Sequence, residues 1–226
     1  AKAQIAARAA ERDALRQAEY EEKVAQREAQ RAAGKKPRGK EPSPPTQGPQ
    51  AKDQVNLTDA ESRIMPHRGG FVPGYNAQAT ADVESLLIAP PHVTQAPNDK
   101  QQIKPTLERL AALPETLGRA THLLADTGYA SAANVKACED AAVEPLIAQG
   151  RDSHHLSLAE RFADDPPAPD PPSDAMTRMA HRLKTRAGRA LYGLRKQTVE
   201  PVFGIIKHAM GFRHFLLRGL EKVSGK

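Results

Sequence analysis

The sequence predicts an α/β fold, a mixed sheet flanked by helices, with a long polar helix ahead of it and proline-rich linkers dividing the chain. Three observations carry this. Strand-length apolar runs alternate with helical segments in the order β-β-α-β-α-β between residues 74 and 148. Residues 2–33 are dominated by Ala, Glu, Arg and Gln, all strong helix formers. Ten of the nineteen prolines fall in two short stretches, 34–53 and 164–174, where neither a helix nor a central strand can persist.

The N-terminal helix carries only Ile5, Leu15, Tyr20 and Val24 as large apolar residues. They form no sustained heptad seam, so the helix is expected to project into solvent or to pack on a partner. The stretch that follows has five prolines and three glycines and reads as a linker. Beyond it, Gly74–Ala81 and Ser85–Ala89 are expected to form a hairpin turning near Asp82-Val83-Glu84. Asn98 is placed to cap a helix running to about Leu113, with Asp99 in its first turn and Pro114 ending it. His122–Asp126 is a buried-type strand stopped by Thr127-Gly128. Ser131 caps a helix through Ala142, and Pro145–Ala148 is a further short strand. The last helical block runs from about Gly188 to His208. The resulting segments are a polar helix (1–33), a disordered Pro/Gly linker (34–55), a strand/helix core (56–163), a proline-rich insertion (164–175) and a basic helical region (176–226).

The 226-residue chain has no Trp and 4% aromatic residues, so its core must rest on Leu, Ile, Val and Ala. One cysteine, Cys138, excludes an internal disulfide and a Cys-rich zinc site, suits a reducing cytoplasm, and reads as buried packing. No apolar run approaches the roughly 20 residues that span a bilayer, so no membrane partner is expected. The N-terminus has no signal core and no initiator Met, as in a processed chain or a fragment. Charge is concentrated at the C-terminal end. Residues 178–226 hold 12 Lys and Arg against Glu200 and Glu221, a net of +10, while the whole chain is +6. Such a block marks a polyanion partner, nucleic acid first, with a solvated basic face as the alternative.

Two acids are candidates for chemistry. Asp126 stands at the C-terminal end of a strand, the edge where ligands gather in α/β sheets, and Gly128 allows close approach. It is either a metal ligand or the cap of the next turn. Glu200 lies on a helix with Tyr192, Lys196 and Lys207 at intervals of four, four and seven, so these side chains share a face. Leu191, Leu194, Val202 and Ile206 supply an adjoining apolar stripe. Cations there suit phosphates and the acid suits a divalent ion; a salt-bridged surface helix is the alternative. Pro201 should bend the helix near Glu200. His154-His155 is a weak metal pair. His208 and His214 face DNA or solvent, and Tyr129 either stacks on a base or packs in the core.

Taken together, Asn56–Met65, Gly74-Tyr75-Asn76-Ala77-Gln78, Gln95–Gln102, Leu123-Leu-Ala-Asp126-Thr-Gly128-Tyr129 and Arg195–Lys207 resemble the DDE transposases of bacterial insertion sequences. The resemblance runs from Asn56 to Lys222. It implies an RNase H-like fold and cleavage and joining of DNA with two divalent ions, Mg²⁺ or Mn²⁺. It assigns Asp126 to the second acid of the triad, Glu200 to the third, and Tyr192, Arg195, Lys196 and Lys207 to the residues around it that meet DNA. In the family pattern the Arg follows Tyr by three residues and precedes Glu by four. Arg195 meets the first spacing and lies five before Glu200, so Lys196 is the alternative for that role. The first acid, expected in an Asp-Gly-Thr-type segment on the first core strand, has no counterpart. Asp59, Asp82 and Asp99 stand in segments that are not catalytic in the family. The expectation is therefore the C-terminal portion of a transposase with an incomplete RNase H-like sheet. It would be cytoplasmic and nucleoid-associated on DNA, homo-oligomeric in the active complex, and weak or inactive by itself. A non-catalytic DNA-binding or multimerising remnant is the alternative.

Overall fold

The structure is a computed structural model of the 226-residue chain and describes all residues except 35, 38, 68, 151–156, 158–162 and 226. It divides into two compact units, Ala1–Ser62 and Arg63–Lys226.

In the first unit, helix α1 spans Lys2–Ala32, as its composition predicts. The expectation that it projects into solvent is incomplete, because the linker folds back along it. Arg8 donates to the carbonyls of Gln54 and Ser62 at 2.9 and 3.1 Å and also to that of Ala60. Arg12 bonds Asp53 at 2.5 Å and the Gly48 carbonyl at 2.8 Å, and Asp13 accepts the Gly48 amide. The Arg12 guanidinium holds Asp53 below the usual carboxylate range. A proline-rich segment has few backbone donors of its own, so arginines reaching its carbonyls are an effective way to order it.

The second unit opens with two antiparallel hairpins. Strands β1 (Arg63–His67) and β2 (Gly70–Gly74) pair antiparallel, from Arg63 opposite Gly74 to His67 opposite Gly70, with Gly69 and Gly70 at positive φ. Strands β3 (Asn76–Ala81) and β4 (Ile88–Thr94) form the second. Here the expected strand at Ser85–Ala89 is displaced. Leu86 and Leu87 lie exposed in the turn, where Asp82 accepts the Ser85 amide, and β4 continues through Pro90-Pro91. The prolines are tolerated because the register shifts between Gln78 and Thr80, opposite them, so the donors they lack are not required. The expected helix from Asn98 begins later. Asn98 instead accepts the Lys100 amide in a local turn, and α2 covers Ile103–Ala111.

A parallel pair follows, β5 (His122–Ala125) and β6 (Glu144–Ile147), joined through α3 (Ala132–Asp140), which Ser131 caps by accepting the Asn134 amide at 3.1 Å. The core lies here. Leu123, Val135, Cys138 and Ile147 pack with Ile103 and Leu107 of α2 and with Met179. Met179 belongs to α4 (Ala175–Lys184), which a sharp turn at Thr185 links to α5 (Arg186–Gly204). Truncating Ile147 or Met179 to Ala would cost about 2–5 kcal/mol. The proline-rich insertion is fastened to these helices: Asp165 accepts the Arg186 amide at 2.6 Å, and the Pro166 carbonyl lies 2.9 Å from His181. A short α6 (Leu220–Val223) ends the described chain.

The fold is mixed α/β, but the expected single mixed sheet is not formed. Among the described residues the strands make three separate two-stranded ladders. Side chains and α5, which packs on both β3 and β5, do the joining.

Candidate nucleic-acid and metal site

Asp126 follows the last residue of β5 in extended backbone and is exposed. Its Oδ1 accepts the Gly128 amide at 2.9 Å, capping the turn Thr127–Tyr129. The turn-capping reading of this aspartate is thus realised, and the exposed carboxylate still presents hard oxygen at the strand's C-terminal edge.

Helix α5 brings the second group. Its buried positions are Gly188 and Thr198, and the Tyr192 hydroxyl lies 3.3 Å from the Ala125 carbonyl, next in the chain to Asp126. Tyr192 therefore docks the Glu200 helix on the end of the Asp126 strand. Glu200 is two turns further on, about 12 Å along the axis. Its side chain is 58% exposed and meets Arg195 at 3.4 Å. No hydrogen bond or ion pair joins Asp126 to Glu200, and among the described residues no three His, Cys, Asp or Glu side chains cluster as a metal cage. The donor chemistry nevertheless suits magnesium, which keeps several waters and takes one or two carboxylates plus substrate phosphates. Both acids present exposed carboxylate oxygens, the donor type that this ion takes.

Of the two cations considered beside Glu200, Arg195 is the one in place. It contacts Glu200 and lies 5.7 Å over the Tyr192 ring. Lys196 is exposed one position further round the helix. The single face expected for Tyr192, Lys196, Glu200 and Lys207 is split. Tyr192 is half-buried against β5, Lys196 and Glu200 face water, and Lys207 sits in a π-helical turn, Ile205–Ala209. The turn starts four residues after Pro201, which lacks an amide for the ladder, and its larger number of residues per turn breaks the seven-residue phase to Glu200. Lys207 stands 5.1 Å over the Phe203 ring. His208 and His214 are exposed, with Arg213 between them bonded to the Lys207 carbonyl. His154 and His155 lie outside the described residues.

Tyr129 is not available for stacking on a base. It packs against the core, and its hydroxyl donates to Gln78 Oε1 at 2.5 Å. Burial, then the charges of Asp99 and Asp126, push its phenol well above the ordinary value, so it stays a neutral donor. Cys138 is fully buried, as expected, and burial pushes its thiol up to about 11.

Composition and spacing missed the environment of Asp126. A Cβ on Gly128 would stand 3.0 Å from Asp126 Oδ1 and 3.4 Å from Asp99 Oδ2, so two carboxylates flank this glycine. Asp99 Oδ1 takes the amides of Asn76 at 2.8 Å and Gln78 at 2.7 Å. The sequence signal was the pair of segments Asn76–Gln78 and Asn98-Asp99, whose partners only folding reveals.

The profile of the transposase DDE domain family matches residues 42–226, and the chain belongs to that family. The match extends further toward the N-terminus than the resemblance read from Asn56. No curated protein and no solved structure matches the chain. Among the described residues no helix is long and apolar enough to cross a membrane.

Proposed function

We propose that this chain is a transposase of a bacterial insertion sequence, built on an RNase H-like core, whose Asp126 and Glu200 serve metal-dependent cleavage of phosphodiesters and strand transfer. The observation that supports this most directly is the bond from Tyr192 to the Ala125 carbonyl, which links the helix of one acid to the strand of the other. The divalent ion, Mg²⁺ or Mn²⁺, supplies charge neutralisation at the scissile phosphate when bound. The chain's own residues do the rest. Asp126 stays anchored through the Gly128 amide. Arg195 steadies Glu200 on one side and rests on Tyr192 on the other. Exposed Lys196 and Lys207 meet phosphates of the element ends and target. The protein acts in the cytoplasm as a homo-oligomer on DNA.

No Asp-Gly-Thr-type segment for a first acid occurs in the 226 residues. A second reading is a transposase-family chain that binds DNA or multimerises without cutting. Two carboxylates hold a second ion poorly, so strand transfer by this chain alone is expected to be weak. A nicking assay on plasmid DNA with Mg²⁺ or Mn²⁺, beside salt-dependent binding to duplex DNA, separates the readings. Cleavage lost in Asp126→Ala and in Glu200→Ala supports the enzyme. Binding that falls steeply with salt, without cleavage, supports the remnant. Neither binding nor cleavage would sink both. Lys207→Glu should weaken binding to all sequences alike.

A further inference from the structure

The turn that carries Asp126 is tied to β3 by side chains, because no backbone ladder among the described residues connects the β3–β4 pair to the β5–β6 pair. Gln78 makes the tie. It is buried, at 6% exposure, and its carboxamide is used at both ends. Nε2 donates to Asp99 Oδ1 at 2.7 Å and to Asn76 Oδ1 at 2.8 Å, while Oε1 accepts the Tyr129 hydroxyl. Asn134, also buried, closes the other side by donating to the carbonyls of Lys100 at 2.8 Å and Tyr129 at 2.6 Å. Asp99 and Tyr129, which flank the Gly128 turn, are thus held by one amide from β3 and one from α3. A buried amide bonded at both ends resists displacement, since moving either partner strands a polar group.

We propose that Gln78 is a positioning residue for Asp126: bonded to Asp99 through one end and Tyr129 through the other, it sets where the Asp126 turn stands relative to β3. As a role in the reaction this rests on the transposase reading above; as a statement about the turn it does not. A merely structural glutamine would hold the core together without setting the local geometry at Gly128.

The test uses the full chain, ¹⁵N-labelled, as wild type, Gln78→Ala, Tyr129→Phe and the double variant. Tyr129→Phe removes a single oxygen and keeps the ring in the core. The Gly128 amide, which donates to Asp126 Oδ1, is the metal-free reporter. Its proton resonance is expected to shift in both single variants while core amides of Val135 and Ile147 stay in place. A Gly128 resonance unmoved in both variants overturns the proposal, as does an equal shift of the core amides. Mn²⁺ titration followed by line broadening at residues 126–129 reads the functional half. Each single variant should weaken binding about five- to ten-fold, the worth of one buried hydrogen bond. The double variant should do no worse than the poorer single one; effects that multiply overturn the proposal. If Asp126→Asn leaves the Mn²⁺ broadening unchanged, the metal reading fails, and the tie is then judged by Gly128 alone.

Discussion

Gly188→Ala perturbs the helix that carries Glu200 at the place where it leaves α4. An alanine Cβ there would stand 1.9 Å from the Arg182 carbonyl oxygen and 2.7 Å from its carbon. Cβ contacts essentially never fall below 3.0 Å, so α4 and α5 must part by at least 1.1 Å, the difference between 3.0 and 1.9 Å. The obstacle is backbone, which cannot rotate away as a side chain would. Alanine gains about 1 kcal/mol in helix propensity over glycine. Against that, forced overpacking costs about 1–3 kcal/mol and at times more. Parting the helices also strains the cap in which Thr185 Oγ1 accepts the Gly188 amide at 3.0 Å, worth about 1 kcal/mol. The clash and the cap together outweigh the propensity, for a net loss of about 1–3 kcal/mol. The assay is urea unfolding followed by circular dichroism, with the slope checked for constancy. A variant as stable as wild type, or more so, would refute the close approach of α5 to the Arg182 carbonyl and with it the placement of Tyr192 on β5.

Two further predictions concern titratable groups. Asp174 caps α4 by accepting the amide and hydroxyl of Thr177, and these bonds hold its carboxyl below the ordinary value. A depressed folded-state pKa means the stabilisation is present above the unfolded value, about 3.9, and is lost as pH falls through the folded one. The stability advantage of wild type over Asp174→Ala, read by urea unfolding, should be full at neutral pH and shrink as pH falls below about 4; a difference that stays constant with pH contradicts the cap. Cys138, with its thiol pushed up to about 11 and no exposed surface, should resist a thiol reagent at neutral pH in the native protein and react fully in denaturant. Rapid native labelling would show that α3 does not pack as described.

Much of this protein follows from local chemistry. Helix-forming composition gives α1 over Lys2–Ala32, and Ser131 starts α3 because its hydroxyl satisfies a helix amide. The run before Asp126 makes a strand that ends where the aspartate caps a turn. These depend on residues within a few positions of one another, so periodicity and capping rules reach them. Asp126 and Glu200 themselves are legible as candidates through their motif spacing.

Tertiary structure decided what involves long separations. The strand expected at Ser85–Ala89 lies instead at Ile88–Thr94 and runs through Pro90-Pro91, because a register shift against β3 leaves their missing donors unneeded. The spacing of Lys207 from Glu200 suggested one helical face, and the π-turn after Pro201 broke it. Arg195 rather than Lys196 is the cation against Glu200, although its sequence interval is one residue longer. Gln78 and Asp99 gained their place only when β3 came beside the turn after β5, 51 residues away along the chain. Local interactions select helices, strands and caps from neighbouring residues alone, whereas polar partners in a buried network are chosen by which groups folding strips of water together.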